Sequence, residues 1–363
     1  MKRYFHMKCA FYEHLPQYTA GISRELGKSV ELDVFFNIKS RPYEIPNCRS
    51  KTGSLSFPNY KNPTTIVGLF QQILRLKDYD LVHTNSSRQA ISAYLAKKLY
   101  GLQYIYTNHG HIRSNTIESQ KSDQKEHQML PRIAKNARAF VTVSHFTARI
   151  LYKRYGITPF VIHHGVDIDR FNPHIDGRAI RNRFSNSDKI ILSIIRLHPD
   201  KDPFTLLKAA STVCKRYNVR FVIIGSGPLA SQVDQYIRKE NLKSKVQIVP
   251  HVSWYDINTY YAACDLFVMP SLDEAFGMVI TEAAACRKPV IASKSGAFPE
   301  ILGNGGCFYE PRRAEDLADK ISQLLADEQE LEEVATNCYN RTIENFKWEF
   351  AADKYLKLYH LIS

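Results

Sequence analysis

The stretch SLDEAFGMVITEAAACRKPVIASKSGAFPE, residues 271–300, decides how the chain is read. Glu274 and Glu282 stand eight positions apart in it, too far for two side chains to meet on one helix face. Between them lie a turn at Phe276-Gly277 and the start of a helical run from Met278 to Cys286; a Pro-led apolar strand, Pro289 to Ala292, follows. A Glu ahead of a helix and a Glu two turns into it address different parts of one elongated ligand. The helix start between them offers free backbone N–H groups and the positive end of the dipole, which suits phosphate. In outline this is a nucleotide-sugar site.

Four more elements share the chain with that stretch. Arg196 and Lys201 lie in SIIRLHPDKD, and Gly225-Ser-Gly-Pro follows the apolar run FVII. His164-Gly-Val-Asp precedes Phe-Asn-Pro at 171–173, and Phe346-Lys-Trp-Glu stands near the end. In this order and spacing, the five elements resemble the retaining glycosyltransferases of family 4, which have the GT-B fold. The resemblance extends over most of the chain. It implies an enzyme that takes a UDP- or GDP-sugar and transfers the sugar, with retention, to a glycan or lipid-linked acceptor in cell-envelope polysaccharide or glycolipid biosynthesis.

Length and periodicity agree with that fold class. The 363 residues are too many for one ordinary core and fit two domains. Short β-rich runs at 30–36, 80–84, 103–107, 139–143 and 160–164 alternate with helical patterns such as 64–76 and 90–100. The same alternation recurs with runs at 189–195, 220–225, 246–249, 266–270, 289–293 and 307–310. Repeated β-then-α order predicts two Rossmann-like α/β domains, each a parallel sheet covered by helices, with the sheets facing across a cleft. Ligands then lie at the carboxyl ends of strands. The expected boundaries are 1–185 and 186–345, with a polar linker at 170–188 and a closing helix, 346–363, that the resemblance sends back to the first domain. Residues 40–62 read as the longest loop, and 112–130 as a mobile loop or an exposed helix.

Composition excludes several classes. Hydrophobic residues make up 44% and charged residues 23%, ordinary for a globular protein. No apolar run reaches the roughly 18 residues that span a bilayer, and the basic N-terminal segment lacks the features of a secretory signal. Seven dispersed cysteines without a C-x-x-C pair point to reduced thiols, not a disulfide frame or structural zinc. A cytoplasmic location, peripheral on the membrane's inner face, is the expectation. Residues 1–187 hold 28 Lys+Arg against 13 Asp+Glu, and the remainder 21 against 23, so all of the +13 net charge comes from the first half. An anionic membrane surface suits that asymmetry, with Lys97, Lys98, Arg149, Lys153 and Arg154 as contributors. Nucleic acid does not, because no recognition motif accompanies the charge.

Sugar transfer leaves negative charge on a diphosphate. With no metal-ligand cluster and no cofactor motif in the sequence, basic side chains are the candidates to neutralise it. Arg196 and Lys201 follow a strand end and are close enough to approach one diphosphate together. The single Asp-x-Asp, Asp167 to Asp169, takes a structural role by resemblance. The resemblance also implies that Glu274 holds donor-sugar hydroxyls and Glu282 the ribose. It further implies that Gly225 forms a Gly-rich turn and that the amides of Phe276, Gly277, Met278 and Val279 cover sugar and phosphate. By the same resemblance His109, in YIYTNHGH, takes the place of a histidine facing the donor, with His111 as a neighbouring alternative. Relatives carry a Gly-Gly loop after the first strand, where this chain has HLPQYTAG and Gly21 alone. Arg287 replaces a glycine before Lys-Pro and is expected to alter a helix C-terminus.

Two rivals belong to other classes. Gly225 to Ala230 satisfies G-x-G-x-x-A, yet the next strand ends VQIVPHV without the acid a dinucleotide ribose requires. The other is a catalytically silent GT-B protein that binds nucleotide-sugar or acts as a scaffold. The intact Arg196, Lys201, Glu274 and Glu282 argue against it.

Overall fold

A computed structural model describes residues 7–12, 16–37, 44–53, 71, 73–110, 120–184 and 189–362. They fall into two compact units, Met1–Gly165 with Trp348–Ser363, and Val166–Lys347.

The first unit is built on a parallel sheet of strands β1 (Lys8–Tyr12), β2 (Glu31–Asn37), β3 (Cys48–Gly53), β4 (Leu81–Thr84), β5 (Gln103–Asn108), β6 (Ala139–Thr142) and β7 (Phe160–Val161). Their order in space is β3-β2-β1-β4-β5-β6-β7, with every neighbouring pair parallel. Strands covered on both faces are mostly apolar, and in β4 (LVHT) and β6 (AFVT) every residue is buried, the polar ones included. Ser86 and Ser144 cap the helices Ser87–Tyr100 and His145–Tyr155 by accepting from the amides of Gln89 and Thr147, and left-handed Gly101 and Gly156 close them.

The helix Trp348–Ile362 belongs to this unit and packs on the helix Pro16–Leu26. Tyr18 Oη lies 3.3 Å from Tyr355 Oη. His83 is fully buried between Tyr359 Oη at 2.5 Å and Thr107 Oγ1 at 2.8 Å, and burial pushes its imidazole down to about 3. It is a neutral core histidine.

The second unit repeats the plan with β8 (Lys189–Ile194), β9 (Val219–Ile224), β10 (Val246–Val249), β11 (Leu266–Met269), β12 (Val290–Ser293) and β13 (Cys307–Tyr309). The order is β10-β9-β8-β11-β12-β13, again all parallel. Chain order reverses between β8 and β11. In open α/β sheets the crevice at the carboxyl ends of two such strands is where ligands bind.

The structure corrects the sequence reading in three places. Strand β1 went unread because its five residues follow a basic, broken segment. Strand β3 lies inside the segment read as a loop. The boundary expected at 185/186 lies at 165/166, because the polar stretch after it is anchored by a few contacts within the second unit. Ile180 and Phe184 are buried, and the Arg181 guanidinium bonds Ala263 O at 2.8 Å and Asp265 Oδ2 at 3.0 Å. The segment 112–130, read as a loop or an exposed helix, runs into the helix Gln120–Asn136, with 111–119 outside the described residues. Most of 64–76 lies outside them as well.

Arg287 sits at φ +53° just beyond the helix Met278–Ala285, in the conformation a glycine takes without strain. Its guanidinium pairs with Glu332 and donates to Thr336 Oγ1 at 3.1 Å. No helix among the described residues is long and apolar enough to cross a membrane.

Candidate active site

The loops after β8 and β11 meet at the reversal point of the second sheet. In the first, Pro199–Lys201 forms a single 3-10 turn, and Asp202 caps the helix Pro203–Val213. That geometry throws Arg196, Asp200 and Lys201 to one side. Asp200 Oδ2 lies 3.6 Å from the Arg196 guanidinium and 3.8 Å from Lys201 Nζ, and Asp200 also pairs with His198. Burial alone would raise the Asp200 carboxyl, but Lys201, His198 and Arg196 together hold it below the usual range. Neither Asp200 nor His198 was singled out in the sequence. The acid between two cations in RLHPDK was the available signal.

The second loop brings Glu274 onto Lys201. Their side chains form a direct ion pair, with Lys201 only 11% exposed. Leu272 N donates to Asp200 O at 2.8 Å, so the two loops are also tied through the backbone. Ala297 N holds Glu274 O at 2.9 Å, and Ser295 Oγ holds Ser271 O at 2.9 Å.

Gly225 lies beneath the basic loop. Its φ is +143°, and a Cβ there would stand 1.9 Å from Ile195 O. A Cβ on Gly227 would meet Leu197 O at 2.4 Å. Leu197 N donates to Ser226 O at 2.9 Å and Leu229 N to Leu197 O at 3.0 Å. The Gly-rich turn thus acts as the seat of the loop that carries Arg196 and Lys201.

Gly277 caps the helix Met278–Ala285 from φ +86° with no side-chain hydrogen bond, so no side chain of the cap shields the helix start. Phe276 turns into the core, edge-on to Phe346 at 5.7 Å between centroids. Only its backbone is then suited to a ligand. Met278 and Val279 form the first turn. Glu282 follows one turn later, 8% exposed, with Tyr261 Oη donating to Oε2 at 2.8 Å. Burial pushes its carboxyl up to about 7, against the opposing influence of the Tyr261 hydrogen bond and the Arg170 charge.

Arg196, Lys201 and Glu274 are therefore brought together, with Gly225 behind them and the helix of Glu282 leaving the same loop. Asp167 and Asp169 are used in a turn: Arg170 N donates to Asp167 Oδ1 at 3.3 Å and Asn172 Nδ2 to Asp169 O at 2.9 Å.

In the first unit, His109 follows β5. Its Nδ1 lies 3.0 Å from His164 Nε2 and its Nε2 3.0 Å from Asn85 Oδ1. Its neighbour His111 lies outside the described residues. Gly21 is not a loop glycine. It sits inside the helix Pro16–Leu26, where a Cβ would stand 2.1 Å from Trp348 Nε1. The acceptor-side expectation for Gly21 gives way to a packing role.

Two parallel Rossmann-like sheets, the second with a basic pair, a glycine turn and two glutamates at its reversal point, define a GT-B glycosyltransferase. The family profile "Glycosyltransferase Family 4" matches residues 16–170, and "Glycosyl transferases group 1" matches 178–341. The chain belongs to this group 1 and family 4 class of glycosyltransferases. It is 27% identical over 299 residues to a D-inositol 3-phosphate glycosyltransferase of Rhodococcus erythropolis, covering 77% of this chain and 67% of that protein. A sucrose-phosphate synthase from Thermosynechococcus elongatus superposes with a TM-score of 0.81 at 23% identity, covering 98% of this chain and 99% of the other. HepE from Anabaena, solved with UDP-glucose, gives 0.81 at 20% identity, covering 98% and 100%.

Proposed function

We propose that the chain transfers a sugar from a UDP- or GDP-sugar to a glycan or lipid-linked acceptor, with retention of configuration and without a metal. Its setting is cell-envelope polysaccharide or glycolipid biosynthesis. The observation that carries the reading is the junction of Lys201, Arg196 and Glu274 at the second sheet's reversal point, beside the Gly277 helix start. Lys201 and Arg196 neutralise the leaving diphosphate, and the amides from Phe276 to Val279 cover phosphate and sugar. Glu274 holds sugar hydroxyls and Glu282 those of the ribose. His109 is kept for the sugar; with both ring nitrogens engaged, its backbone carbonyl is the group suited to developing positive charge. HepE, bound to UDP-glucose, supports the donor class, and the likeness to a D-inositol 3-phosphate glycosyltransferase supports a polar, hydroxyl-bearing acceptor.

Thermal melts with a panel of UDP- and GDP-sugars test this directly, since a ligand that binds only the folded chain raises its apparent stability. One nucleotide series should raise the melting temperature, and transfer should persist in EDTA. A panel without any shift, or activity lost to EDTA and restored by a divalent ion, would overturn the donor or the metal-free reading respectively.

The basic first half points the enzyme to an anionic membrane surface at the cytoplasmic face. Residues 81–117 and 127–166 contain no Asp or Glu at all. Lys97, Lys98, Lys153 and Arg154 occupy the last turns of their helices, near exposed Leu99, Tyr100 and Tyr152. Helices that follow parallel strands end at the sheet's amino edge, so adsorption there leaves the strand ends of Asn85 and His109 open. The protein should pellet with phosphatidylglycerol vesicles at low salt, with each surface cation adding at most about 1 kcal/mol. Equal partitioning to neutral vesicles would refute an electrostatic attachment.

A further inference from the structure

Three carboxylates rank as buried among the described residues: Glu25, Asp33 and Glu282. Two of them have cations in ion-pair contact. Glu25 has Arg24 at 3.1 Å and Lys28 at 2.5 Å, and Asp33 has Arg49 at 2.6 Å. Glu282 has none at that range, and its hydrogen-bond partner is the phenol of Tyr261. Tyr261 is itself fully buried, on the helix Ile257–Ala263, edge-on to Phe171 and tilted against Phe267. A carboxylate buried without a counter-ion is costly, and such perturbed groups cluster at functional sites.

The surroundings of Glu282 contain little that could replace that phenol. From the segment before Phe171 comes Arg170, whose guanidinium lies 3.4 Å from the Trp254 ring centroid; its Nε and Nη2 make no hydrogen bond among the described residues. Cys286 ends the helix of Glu282, and Cys264 follows that of Tyr261. Burial pushes both thiols up, so neither carries charge near neutrality. Among the described residues Arg170 is thus the one cation facing the carboxyl, and it acts at longer range, against the larger influence of burial.

We infer that Tyr261 is the positioning residue for Glu282: the phenol fixes Oε2, which leaves Oε1 to accept from the ligand's hydroxyls. The inference deepens, and rests on, the reading of Glu282 as the ribose-binding carboxylate. Ribose hydroxyls donate to an ionised carboxylate, and a proton on Glu282 competes with them. Because the Glu282 carboxyl is raised to about 7, donor binding strengthens as pH rises through that value and weakens below it. The phenol opposes the raising. Replacing it with phenylalanine therefore pushes the carboxyl higher and moves the binding midpoint upward, at almost unchanged side-chain volume.

The experiment is calorimetric titration of UDP and GDP from pH 6 to 9 into the wild type, Tyr261→Phe and Glu282→Gln. Titration of the diphosphate itself is common to all three and cancels in the comparison. With Tyr261→Phe, affinity near pH 6.5 should fall about tenfold or more, the scale of one hydrogen bond to a charged group. By pH 9 it should return close to wild type. A loss of equal size at every pH would reduce Tyr261 to packing and overturn the proposal. Glu282→Gln should be weak throughout, and its profile should lack the step that the wild type shows near neutrality. Wild-type binding by Glu282→Gln, or no binding of either nucleotide by the wild type, would instead sink the ribose reading. Should Tyr261→Phe fail to fold, the wild-type profile still decides, because binding without a step relative to Glu282→Gln leaves nothing for the phenol to tune.

Discussion

With Lys201 replaced by alanine, sugar transfer should fall about 100- to 1000-fold, ~3–4 kcal/mol, the scale of one lost charge-stabilising group in a catalytic site. Lys201 is the cation that the fold holds in place: it is 11% exposed, bonded to Glu274 and within reach of Asp200. Arg196 is 53% exposed, and its nearest carboxylate is 3.6 Å away. Its charge is better screened, so Arg196→Ala should cost less than Lys201→Ala. The order of the two losses is as diagnostic as their size. Turnover by each variant, normalised to the folded fraction from a urea melt, measures both. A Lys201→Ala enzyme that works at the wild-type rate would remove the diphosphate clamp from the mechanism.

Gly225→Ala should cost about 4 kcal/mol or more of stability, within the range reserved for backbone clashes and strained positions. The added methyl would stand 1.9 Å from Ile195 O and 2.9 Å from Ile195 C, and backbone on both sides is fixed by sheet hydrogen bonds. Gly156 provides the control. It also has positive φ, +67°, yet a Cβ there meets nothing within 4 Å. Gly156→Ala should therefore cost only about 1 kcal/mol, the left-handed conformation alone. Urea midpoints of the two variants separate contact from conformation. If they coincide, close approach at Gly225 is not what seats the basic loop.

The second unit was the more legible half, for a physical reason. The interior strands of its sheet are covered on both faces and mostly apolar, and its edge strands VQIV and CFY also keep short apolar runs, so all six were read from the sequence. The site residues there were readable because turn, helix start and charges are local features. The first unit hides more. Strand β3 reads CRSKTG because an edge strand exposes half of itself to water, and β1 is too short to stand out behind MKRYFHM. The boundary was misplaced because 166–184 is polar at its surface and anchored by few residues. Gly21 was mistaken for a loop glycine because its reason for being small, Trp348, lies more than three hundred positions away. The bonds of Glu282 to Tyr261 and of Lys201 to Glu274 were equally out of reach. A pairing across elements exists only once the sheet has set their spacing.

The helix Trp348–Ile362 has a consequence for how the chain is made. It supplies Trp348 against Gly21, Tyr355 against Tyr18 and Tyr359 against His83, all within the first unit. The ribosome delivers those residues after the whole of Val166–Lys347. During synthesis the first sheet therefore waits with an open face while the second unit, one uninterrupted segment, has everything it needs to fold. Where the chain enters and leaves that segment, Val166 N donates to Phe346 O at 2.7 Å and Val166 bridges to Lys347, so its two ends are joined without any residue of the final helix. The half that emerges first is finished last.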